Sequence, residues 1–99
     1  MPLDLYVTRR AAAEIERHAE WWSKNRLAAP GAIRKDLEAA FRVLKEHPGM
    51  GSAVDEAEST EVRRFYVDRI HYWVYFRVRG RRLEILSVWH AARGHGPAV

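Results

Sequence analysis

The chain has 99 residues, a formal net charge of +4 and no cysteine, a length that suits one domain burying roughly 60 to 70% of its unfolded surface. The absence of cysteine excludes a disulfide scaffold and a thiolate zinc site, and five histidines without HxxxH or HExxH spacing point to no metal and no cofactor. The opening MPLDLYVTRR lacks the apolar run of ~7 to 15 residues that a signal peptide needs, and no stretch approaches ~18 apolar residues, so a soluble, cytoplasmic protein without a membrane span is expected.

In chain order, Leu3 to Val7 predicts a short strand with Leu3, Leu5 and Val7 on one face, ending at Thr8 as a helix N-cap. A helix follows to about Asn25, with Ala12, Ile15, Ala19 and Trp22 inward and Glu14, Glu16, Arg17 and Glu20 outward. The adjacent Trp21 and Trp22 are both expected to serve the core. Pro30 suits the first turn of a second helix, whose stripe of Ile33, Leu37, Ala40, Phe41 and Leu44 runs to Glu46 before His47-Pro48-Gly49 stops it. Met50 to Thr60 reads as an acidic loop able to fold back on the arginines that follow.

Three antiparallel strands then complete the chain. Val62 to Val67 is short, Ile70 to Arg79 alternates with Ile70, Tyr72, Val74, Phe76 and Val78 on one face, and Leu83 to His90 returns through a turn at Gly80. The resulting fold class is α+β: an N-terminal strand and a two-helix hairpin on one face of a small, mostly antiparallel four-stranded sheet. The other face, with His71, Trp73, Tyr75, Arg77 and Arg79, should then be open to a partner. Beyond Glu61 eight arginines meet two acids, roughly +6 against about −2 for the preceding residues, so the partner is expected to be acidic or phosphate-bearing. Arg63 and Arg64, as neighbours on a strand, should point to opposite faces.

Thr8-x-x-Ala11, Leu44-x-x-x-Pro48-x-x-Gly51, Val62-Arg63-Arg64, the run Tyr72 to Val78 and the closing Ile85 to Arg93 (ILSVWHAAR) together resemble the RelE/ParE superfamily of bacterial type II toxins. The resemblance implies a toxin neutralised by a small antitoxin. Two branches diverge in activity: RelE-like members cleave mRNA on the ribosome, usually with a tyrosine near the end of the last strand, whereas ParE-like members inhibit DNA gyrase. No tyrosine follows Tyr75, and His90-x-x-Arg93 is similar to the ParE branch. The resemblance therefore implies a gyrase inhibitor bound in a hetero-oligomer with a ParD-like antitoxin, the alternative being a ribosome-dependent mRNA endonuclease. For the first, no catalytic residue is expected; for the second, His90 would be the proton-transfer group. Arg64, Arg77, His90 and Arg93 are the expected target-binding residues, and Trp73, Tyr75 and Arg63 the expected antitoxin-binding ones. A nonenzymatic nucleic-acid binder ranks behind both.

Overall fold

The computed structural model describes residues 2–26, 29, 31–54, 57, 61–93 and 96–99. Its elements are β1 (Asp4–Val7), α1 (Arg9–Asn25), α2 (Ala32–Glu46), a 3-10 turn (Pro48–Met50), β2 (Ser52–Ala53), β3 (Arg63–Val67), β4 (Tyr72–Arg79) and β5 (Arg82–His90). The strands form one sheet in the order β1-β5-β4-β3-β2. Among the described residues only β1 and β5 run parallel, with the helical hairpin as part of the crossover between them. The α+β architecture is as expected, with five strands in place of four. Ser52–Ala53, expected to be loop, pairs antiparallel with Arg64 and Arg63; a two-residue strand is too short to show any alternation.

Thr8 locks the first corner. Its extended backbone lets Oγ1 accept from Ala11 N at 3.1 Å while donating to the Ile85 carbonyl at 2.9 Å, so one side chain caps α1 and ties it to β5. The stripe of α2 is the expected one, Ile33, Leu37, Ala40, Phe41 and Leu44 all being buried. That of α1 is displaced: Ala11 and Glu14 are buried, Ala12 is exposed and Trp21 is 50% exposed, with Ile15, Ala19 and Trp22 at the core margin. Glu14 reads as solvent-facing because carboxylates usually are. It is buried because its Oε1 accepts from Ser87 Oγ at 2.8 Å and from Val88 N at 3.0 Å, satisfying β5 beyond the segment that β1 pairs.

β4 begins at Tyr72 rather than Ile70. Residues 68–71 form a turn in which His71 takes φ 59°, although Ile70 remains buried. Gly80, at φ 58°, occupies the hairpin tip as expected. Between Tyr75 and Phe76 the β4–β5 register shifts, Tyr75 pairing with Ser87 and Phe76 with Ile85. The face away from the helices is less open than its composition suggests. Tyr75 is 2% exposed, with Ala53, Val54, Gly96, Pro97 and Val99 gathered around it and Arg10 Nη1 donating to the Ala98 carbonyl at 2.5 Å. The chain's own last residues thus cover what alternation alone assigns to solvent. Asp55, Glu56, Glu58 and Pro30 lie outside the described residues; of the acids read as folding back on the arginines, Glu61 does so, 3.2 Å from Arg79.

Candidate functional site

The residues expected to bind partners fall into two groups. Arg64, Trp73, Tyr75 and Arg77 lie on β3 and β4: the Arg64 guanidinium stacks 3.9 Å from the Trp73 ring centroid, its Nη1 donates to the Tyr75 hydroxyl at 3.4 Å, and Tyr66 packs 4.9 Å from Trp73. Arg77 Nε is held by Glu84 at 2.6 Å, and that hydrogen bond with Arg77 keeps the Glu84 carboxyl below its usual range. Arg63 pairs across the sheet with core Phe76 and donates to the Gly51 carbonyl, whereas Arg64 pairs with Tyr75. The alternate facing of the two arginines follows from strand geometry.

His90 and Arg93 belong to the second group, at the far end of β5. They line a groove of about 770 Å³ together with His18, Trp21 and Trp22 of α1, Arg26, Arg69, His71 and Tyr72. Among the described residues, three arginines, three histidines and no carboxylate contribute to this lining. Arg69 is already bound by Asp36 through two hydrogen bonds, at 2.8 and 2.5 Å. Arg26 and Arg93 instead rest on indoles: the Arg26 guanidinium is 5.8 and 5.6 Å from Trp21 and Trp22, and that of Arg93 is 4.2 Å from Trp89.

At the floor, Tyr72 joins the two sides. His18 meets its ring edge-on at 4.8 Å and His90 does so at 5.0 Å. The Tyr72 hydroxyl and His18 Nδ1 lie 3.1 Å apart and share a hydrogen bond. Burial raises the Tyr72 pKa above its ordinary value. Burial also lowers that of His18, more than the nearby Glu14 carboxylate raises it. His90 Nδ1 accepts from Ala92 N at 3.1 Å, which leaves the proton of the neutral ring on Nε2. The groove therefore presents hydrogen-bond donors and cations around an aromatic floor. Sequence reading found His90 and Arg93 but not His18, Tyr72, Trp22 or Arg26; the available signal was the i, i+4 series Glu14, His18, Trp22 on one face of α1.

The lowered His18 pKa carries a sign for stability. The folded state disfavours the charged ring, so the unfolded chain binds more protons and stability rises with pH. The contribution is complete above the unfolded value near 6.5, declines as pH falls below it, and is lost once pH passes below the lower folded value. Melting temperature should accordingly drop between pH 7 and pH 5. His18→Asn, whose amide can either accept from or donate to the Tyr72 hydroxyl, should flatten that drop; an unchanged slope in thermal melts would contradict it.

Among the described residues no helix is long and apolar enough to cross a membrane. Comparison with curated proteins gives no match. A solved structure, described as the chromosomal ParDE TA system from P. aeruginosa, superposes with a TM-score of 0.69 at 24% identity, covering 89% of this chain and 95% of that one. It shares the fold. The model of the family described as the ParE toxin of the type II toxin-antitoxin system parDE matches residues 5–94. With that match spanning β1 to the end of the groove, the chain belongs to the ParE family of type II toxins.

Proposed function

We propose that this toxin acts in the cytoplasm by inhibiting DNA gyrase without a catalytic step of its own, and that a ParD-like antitoxin neutralises it in a hetero-oligomer. Family membership supports the class of target and partner, and the state of His90 supports the absence of catalysis. A general base needs a free lone pair within reach of the proton it takes. In His90 the Nδ1 lone pair already accepts the Ala92 N–H, and in that tautomer Nε2 carries the hydrogen, so neither nitrogen offers a free lone pair. His18 Nδ1 is likewise engaged, by the Tyr72 hydroxyl. The donors and cations left over suit contact with an acidic surface better than cleavage of RNA.

The proposed target-contacting residues are His90 and Arg93 at the groove and Arg64 and Arg77 on the sheet. Trp73, Tyr75 and Arg63 are proposed for the antitoxin; the near-complete burial of Tyr75 means that the segment covering it must move for contact. Expression of the toxin alone should fragment chromosomal DNA and induce the DNA-damage response while bulk mRNA persists, and co-expression of the antitoxin should suppress both. The ribosome-dependent nuclease alternative predicts the reverse, rapid message loss over intact DNA.

A further inference from the structure

We propose that the groove at the end of β5 is a binding site for single-stranded DNA, in which a base stacks on Trp21 and the adjoining phosphates pair with Arg26 and Arg93. Trp21 is 50% exposed although it is a large aromatic on a helix that packs against the sheet. The neighbouring Trp22 supplies the core contact that a second indole is not needed for. An exposed indole with a guanidinium on its face is the arrangement by which proteins hold bases without reading their identity. The charge agrees. Among the described residues no carboxylate lines the groove, Arg93 lines it as well, and His90 contributes a further donor through Nε2–H, so its polar groups match an acceptor-rich backbone. Arg69 adds less because Asp36 already takes the Nε and Nη2 edge of its guanidinium. The choice of DNA over RNA rests on the gyrase reading above; base stacking and phosphate pairing do not.

Fluorescence anisotropy of a labelled oligothymidylate of eight nucleotides, titrated with purified toxin, tests the site without gyrase present, so its failure is separable from failure of that reading. Saturable binding is expected, weakening with salt at a log-log slope of about −1.4 if two phosphates are neutralised. Trp21→Ala should weaken binding about tenfold without changing the slope. Arg26→Gln should weaken it and bring the slope closer to zero by about 0.7. Both positions are exposed, and circular dichroism should show each variant folded. Absence of salt-sensitive binding, or wild-type affinity in both variants, would overturn the proposal. So would at least tenfold tighter binding of oligouridylate, which would make RNA the ligand, or equally tight binding of poly-glutamate, which would make it an acidic peptide.

Discussion

Glu14→Ala should lower the melting temperature by roughly 12 to 24 °C. The carboxylate is 4% exposed, and a single oxygen accepts from both the Ser87 hydroxyl and the Val88 amide, themselves inaccessible to water. Removing it strands two buried donors at about 1 to 3 kcal/mol each, a total near 3 kcal/mol once partial relaxation is allowed. For a domain of this size each kcal/mol moves the midpoint by about 4 to 8 °C. The 3.5 Å pairing of Glu14 with the more exposed Arg10 contributes little beside this. Glu14→Gln, which retains an oxygen for the same two donors, should lose less than half as much. Equal losses in the two variants would mean that charge, not hydrogen-bond acceptance, holds α1 to β5; a near-normal midpoint for Glu14→Ala would refute the seam altogether.

Gly51→Ala should be comparably damaging, for a steric reason. A Cβ at residue 51 would lie 2.4 Å from Phe76 Cζ, 2.6 Å from Cε1 and 3.1 Å from the Arg64 carbonyl oxygen. The Phe76 ring is fully buried in mid-sheet and has nowhere to retreat. Overpacking of this kind costs about 1 to 3 kcal/mol, with the upper end expected where ring and backbone both resist. Phe76→Leu removes the obstructing edge of the ring, so the pair of substitutions should be non-additive, Gly51→Ala costing at least ~1 kcal/mol less in the Phe76→Leu background. Strict additivity in urea denaturation would show that the strain lies elsewhere. The contact also gives a physical reason for a glycine three residues after Pro48: the chain must pass flat over Phe76 as it enters β2.

Much of this fold is legible in the sequence. The stripe of α2, the N-cap at Thr8, the hairpin at Gly80 and the basic sheet each follow from a local rule that tertiary structure had no reason to override. The misreadings share a cause: periodicity assigns a side chain to a face but says nothing of what covers that face. Glu14 and His18 sit in the apolar stripe of α1 because β5 offers donors and a tyrosine there, and those partners are 73 and 54 residues away in the chain. Tyr75 points away from the helices yet is covered by residues 96–99, whose sequence has no periodicity to mark them as a lid. Trp21 errs the other way, an apolar residue read as core that stands half in solvent.

For the candidate site, composition located the charge but not its state. Eight arginines beyond Glu61 suggest a large free positive surface, whereas Arg69, Arg77, Arg79 and Arg82 all meet carboxylates at 2.5 to 3.6 Å. Much of the excess is spent inside the molecule. Among the described residues, the cations that rest on aromatic rings and meet no carboxylate, Arg26, Arg64 and Arg93, remain the better guides to partners, because stacking does not neutralise their charge.

Purified gyrase supplied with ATP and relaxed plasmid tests the proposed activity most directly. Addition of the toxin should block supercoiling and, after protein denaturation, leave linear plasmid from trapped double-strand breaks, with His90→Ala retaining most of the effect because no proton transfer at His90 is involved. Unaltered supercoiling and no linear product, alongside message cleavage when the same preparation is added to translating ribosomes and its loss in His90→Ala, would contradict the account.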